Sequence, residues 1–165
     1  MTRNRRPRAD LIAWPNTTAI PTPPAGHPYA AALWLLGRHP MLARLVARVP
    51  DLVSRDGQGR LGLDLDELAL TLVTLDQHRS AWKRYERDHR APSDDAAYDQ
   101  WLAAGPSSTP QVDAISVMSS SELTRVRLLG TFSTVRVPFR VGDLSSFDAE
   151  GVTLFADWCT AAAQQ

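Results

Sequence analysis

The stretch DLDELALTLVTLDQHRSAWKRYERDHR, residues 64–90, runs for 27 residues without a proline or a glycine. Asp64 followed by Glu67 reads as a helix start, a side-chain cap with an acid three residues on. Leu65, Leu68, Leu72 and Leu75 recur at intervals of three and four, which places them on one helical face. Ala69, Leu70 and Val73 widen that face, and a wide apolar face implies a place in the core. Beyond Asp76 only Ala81, Trp82 and Tyr85 are apolar. The pattern predicts one long helix over about 64–90, buried at its start and polar at its outer end.

The flanks also read as helical. Tyr29, Ala32, Leu33 and Leu36 share a face; Gly37 and Pro40 break that helix, and Pro40 opens a second over Met41–Val49. SRDGQGRLG, residues 54–62, is a turn by its glycine content. Asp94 and Asp95 after Pro92, with Gly105 and Pro106 beyond, predict a short helix over 93–104. Residues 105–111 read as a linker. Ser119 and Glu122 form a capping box before the apolar face of Leu123, Val126 and Leu129.

One segment has the period of a strand. Val135, Val137, Phe139 and Val141 alternate with Arg136, Pro138 and Arg140, and Pro138 restricts the segment to a sheet edge. Its expected partner is the stretch Ile115 to Val117. Ser145 and Asp148 then start a last helix with Val152, Phe155, Cys159 and Ala162 in line. The fold read this way is mainly α: a single-domain multi-helix bundle around a long central helix, with a small β-strand or hairpin element near 113–117/134–141. Prolines at 7, 15, 21, 23, 24 and 28 make residues 1–27 a flexible Arg/Pro-rich arm, pinned at most through Leu11, Ile12 and Trp14. Residues 28–165 form the helical domain.

At 165 residues the chain is long enough for one real hydrophobic core. Eighteen basic residues balance eighteen acidic ones, so no global field draws it toward nucleic acid or an anionic membrane. The balance is uneven along the chain, because residues 1–50 carry seven Arg against one Asp. One cysteine, Cys159, excludes an internal disulfide, and its apolar neighbours predict an inert, buried thiol. The opening has no apolar run and no stretch approaches the ~20 apolar residues of a membrane span. A cytoplasmic protein without membrane contact is expected.

Four groupings bear on chemistry. Residues 54–61 resemble the middle of an EF-hand calcium loop, with Asp56, Gln58, Gly59 and Leu61 in matching places. Ser54 and Leu65 stand where that loop needs acids, so a glycine-rich connection between helices is expected instead. On the outer half of the long helix Arg79, Lys83, Arg87 and Arg90 fall within an arc of about 80°, and a phosphate backbone would relieve their mutual repulsion. Trp82 and Tyr85 form a separate stripe, of the residue types that dominate protein interfaces. At the N-terminus Arg3, Arg5, Arg6 and Arg8 suit a phosphate backbone or a minor groove.

Chemistry beyond these is not legible. His27, His39, His78 and His89 lack the spacing of a zinc site, and no phosphate-binding glycine motif or serine elbow occurs. No catalytic residue, metal or cofactor is expected. The reading is a non-enzymatic interaction or regulatory module with a protein partner, the alternative being a nucleic-acid-associated accessory protein that binds DNA or RNA backbone through its arm.

Overall fold

The structure is a computed structural model that describes residues 14–55, 57–58, 61–88, 96, 99–100 and 108–165, with the side chains of Tyr85 and Glu86 excepted. Elements follow in the order α1 (Pro28–Arg38), α2 (Pro40–Ala47), β1 (Val53–Arg55), β2 (Leu61–Leu63), α3 (Leu65–Asp88), α4 (Pro110–Ser116), α5 (Ser120–Gly130), a 3-10 turn (Val141–Ser146) and α6 (Ala149–Ala162). The fold is mainly helical with one small antiparallel sheet. Among the described residues no helix is long and apolar enough to cross a membrane.

Helix α3 begins where its cap predicts, with the Glu67 amide donating to Asp64 Oδ1 at 2.9 Å. Leu65, Leu68, Leu72 and Leu75 are all buried, whereas Leu70 is half exposed and lies off the apolar face. The element enclosed most completely is α5, buried without a gap from Leu123 to Gly130. It packs against α2, α3, α6 and the 3-10 turn. The capping box forms as read: the Glu122 amide donates to Ser119 Oγ and the Ser119 amide to Glu122 Oε2. At the other end, a Cβ on Gly130 would stand 2.8 Å from Leu72 Cδ1 and 3.3 Å from Val137 Cγ2, so α5 crosses α3 closely there.

The sheet lies elsewhere than the alternation implies. It is a hairpin of Val53–Arg55 against Leu61–Leu63, so the glycine-rich turn joins strands and not helices. Its arms are three residues each, too short to show a period. The segment 135–141 is not paired as a strand, although Val137 is buried and Arg136, Pro138 and Arg140 are exposed as its period demands. It runs extended along α5, and the Pro138 carbonyl accepts from Arg127 Nη1 at 3.2 Å. Its expected partner is helical, because Thr109 caps α4 by accepting from the Val112 amide and Pro110 fills the first position.

The last helix also differs. Asp148 is its cap, accepting from the Gly151 amide, while Ser145 belongs to the 3-10 turn. Gly151, Leu154, Trp158 and Ala161 face inward, leaving Val152 and Cys159 exposed. Trp158 Nε1 donates to the Leu128 carbonyl and to Thr131 Oγ1, and the ring stacks on Phe155. The helix expected over 93–104 falls mostly outside the described residues.

The segment read as a free arm through residue 27 divides. Residues 1–13 lie outside the described residues, and from Trp14 onward the chain is tied to α1. Thr17 Oγ1 donates to the Trp34 carbonyl at 2.8 Å, and Trp34 Nε1 donates to the Ile20 carbonyl at 3.1 Å. Arg38 Nη1 donates to the carbonyls of Thr18 and Ile20, while its Nε holds Asp157 of α6. Gly37 does not end α1. It is the crossing point, where an added Cβ would fall 2.1 Å from the Pro15 carbonyl oxygen.

Gly37→Ala therefore forces a backbone shift that no side-chain rotation relieves. The substitution is expected to lower the midpoint of urea unfolding and to speed proteolysis within residues 14–26, despite alanine's better helix propensity. An unchanged midpoint would show that the segment is not held against α1.

Candidate functional site

Helix α5 brings two arginines into the interior, and their neutralisation shapes the surrounding surface. Arg125 is 6% exposed and Arg127 9% exposed. A buried guanidinium is costly unless its charge is matched. Both charges are matched, although Arg125 Nε is left without a hydrogen-bond partner among the described residues. Arg127 grips both carboxylate oxygens of Asp76 on α3, at 2.5 and 2.8 Å. Arg125 donates to Asp148 Oδ1 at 2.6 Å and to Ser121 Oγ at 2.9 Å, beneath the Phe147 ring.

The Asp76–Arg127 pair forms one wall of a cleft of about 520 Å3 between α3, α5 and the segment before the 3-10 turn. Arg79, Ser80 and Lys83 line it from α3, Ser120, Leu123 and Thr124 from α5, and Pro138, Arg140 and Asp143 from the far side. Asp143 is engaged, accepting from the Arg140 amide at 3.0 Å. The side chains of Arg79, Lys83 and Arg140 are exposed and form no ion pair among the described residues. Their charges are available to a ligand.

A larger concavity, about 610 Å3, lies between the hairpin, the start of α1 and residues 132–134. Its charged groups and most of its hydroxyls are already employed, Ser54 excepted among the described residues. Tyr29 Oη accepts from the Leu63 amide, and Asp64 caps α3. Asp66 accepts from Ser133 Oγ at 2.6 Å and from the amide and hydroxyl of Thr134. That concavity is a joint of the fold, whereas the smaller one holds unmatched charge.

The residues singled out from the sequence separate accordingly. Arg79 and Lys83 share the cleft. Arg87 turns to its neighbour Asp88 at 3.4 Å, in a pair exposed on both sides; such pairs are worth little. Trp82 is half-buried on α3. Arg90, the side chain of Tyr85 and the arginines at 3, 5, 6 and 8 lie outside the described residues. Among the described residues no group of three His, Cys, Asp or Glu is placed to hold a metal ion. Arg140, Ser80 and Ser120 were not legible as site residues. The alternation turns Arg140 outward, but only the return of that segment along α5 brings it into the lining of the same cleft as Arg79.

No protein-family model, curated protein or solved structure matches this chain.

Three carboxylates are held below their ordinary range by structural contacts. For Asp66 the causes are the Ser133 hydroxyl and then the Thr134 amide. For Glu122 they are the amide and hydroxyl of Ser119, and for Asp148 the Gly151 amide and then Arg125. Their ordinary values are 3.8 for aspartate and 4.5 for glutamate, so their contribution to stability is complete above about pH 5. It is lost as pH falls through the lowered folded values. Asp66 and Asp148 are exposed and Glu122 is partly so, and solvent keeps each share small.

Melting temperature should thus hold level from about pH 7 to 5 and fall between about pH 5 and 3. Asp66→Asn should melt below the parent at neutral pH, with the gap narrowing as acid protonates the parent's carboxylate. A gap that stays constant down to pH 3 would contradict the assignment of Asp66.

Proposed function

We propose that this protein is a non-enzymatic interaction module that takes a polar, acid-bearing segment of a partner protein in the cleft between α3 and α5. The observation that carries this reading is the trio Arg79, Lys83 and Arg140, exposed around one cleft with no ion pair among the described residues. The two buried arginines nearby are each neutralised, and Arg44, Arg84 and Arg136 are also exposed without an ion pair among the described residues; what marks the trio is that its three members line one cleft. Leu123 and Pro138 supply apolar wall beside the charges, an arrangement suited to a peptide side chain. A cytoplasmic setting accords with a single cysteine.

A second reading is binding to nucleic-acid backbone, favoured by the row Arg79, Lys83 and Arg87 exposed along α3 and extended by the N-terminal arginines. It ranks second because Asp76 and Asp143 lie in the same cleft and Asp88 meets Arg87, which interrupts a phosphate track.

The joint substitution Arg79→Glu with Lys83→Glu separates the readings. Both side chains are exposed, so the fold and melting temperature should change little. Cross-linking in host extract should join the parent chain to a discrete protein partner. The charge reversal should abolish that cross-link, while Arg44→Glu, on the exposed side of α2, should retain it. A cross-link indifferent to the reversal would defeat the cleft reading. Salt-sensitive binding of labelled DNA or RNA, lost in the same variant, would favour the second reading.

A further inference from the structure

We infer that the cleft between α3 and α5 reads a phosphorylated side chain on its protein partner. This inference rests on the interaction reading of the same cleft and narrows the ligand's chemistry. Two observations support it: three uncommitted cations and two uncommitted hydroxyls, among the described residues, line the same cleft.

Charge comes first. Arg127 and Asp76 neutralise each other through two hydrogen bonds. What remains is Arg79, Lys83 and Arg140 against the single carboxylate of Asp143, an excess of two positive charges. A phosphate monoester carries about −1.5 to −2 near pH 7 and matches that excess. An aspartate or glutamate side chain brings one negative charge and leaves one cation unmatched. Two of the three cations are arginines, whose forked donors fit phosphate oxygens in pairs.

The hydroxyls of Ser80 and Ser120 line the cleft with the cations and make no hydrogen bond among the described residues. A phosphate group accepts through three oxygens, enough for the guanidinium forks and a hydroxyl together. Thr124 is excluded, because its hydroxyl donates to the Ser120 carbonyl at 2.9 Å.

Shape selects a monoester on a side chain over a continuous backbone. A nucleic-acid strand spreads single charges along its length, whereas these cations converge from α3 and from the opposite wall on one cleft of about 520 Å3. Leu123 and Pro138 offer contact to the aliphatic carbons between a phosphate and its peptide.

The test uses the full chain, labelled for amide spectroscopy, and four probes: a capped five-residue peptide with phosphoserine at its centre, the same peptide with aspartate, the same with serine, and a ten-residue oligothymidylate. The phosphopeptide should shift amides at Arg79–Lys83 and Ser120–Thr124, and bind about tenfold more tightly than the aspartate peptide, the worth of a further charge-assisted bond. Arg140→Ala and Lys83→Ala should each weaken the phosphopeptide at least about fivefold without changing the melting temperature. Equal affinity for the aspartate peptide would overturn phosphate selectivity and leave the interaction reading intact. Larger shifts of the same amides by the oligothymidylate would overturn both. Silence from all four probes would overturn this inference alone, since the cross-linking comparison decides the broader reading.

Discussion

Two guanidinium groups lie inside this protein on its innermost helix, and each is met by a carboxylate from a distant part of the chain. Arg127 is held by Asp76 of α3 and Arg125 by Asp148 at the head of α6. A buried charge left unpaired costs several kcal/mol, on the order of 3–5. Hence α5 can be enclosed only where both carboxylates arrive together. This condition sets the rotation of α5 about its axis and its level along α3, which leucine packing alone would leave less sharply defined. It also places α6, since the carboxylate that meets Arg125 is the same group that caps α6 through the Gly151 amide.

The surface follows from that arrangement. Consuming Asp76 in the interior pair leaves Arg79, one turn further along α3, without the acidic neighbour that sequence spacing offers it. The Pro138 carbonyl is drawn to Arg127, and the chain beyond it delivers Arg140 to the opposite rim. The basic cleft is therefore a consequence of how the core arginines are satisfied. A change at Asp76 would alter the core and the cleft together, whereas the rim residues Arg79 and Lys83 can change without disturbing the core.

What was legible in the sequence was local. The cap at Asp64, the box at Ser119 and Glu122, and the leucine face of α3 rest on spacings within one element, and all appear where they were read. The relations between elements were not legible. SELTRVRLLG carries two arginines and a modest apolar face, so nothing local marks it as the most enclosed helix. The alternation reports correctly which side chains turn inward over 135–140 but fails at Val141, which starts the 3-10 turn and is exposed, and it cannot say that a guanidinium, and not a neighbouring strand, takes the carbonyl. Gly37 reads as a breaker from propensity and acts as a crossing, because the chain it meets lies some twenty residues earlier. Half of the candidate site shared this fate. Arg79 and Lys83 stand on one visible helical stripe, while Arg140 and Ser120 join them only through the burial of α5.

Native-state hydrogen exchange, read amide by amide, tests the account most directly. If enclosure of α5 is the step on which the rest depends, the amides of Leu123 to Gly130 should exchange only through global unfolding, and more slowly than the outer half of α3 or the segment 14–26. Exchange of those α5 amides through local opening, ahead of the first turns of α3, would contradict it.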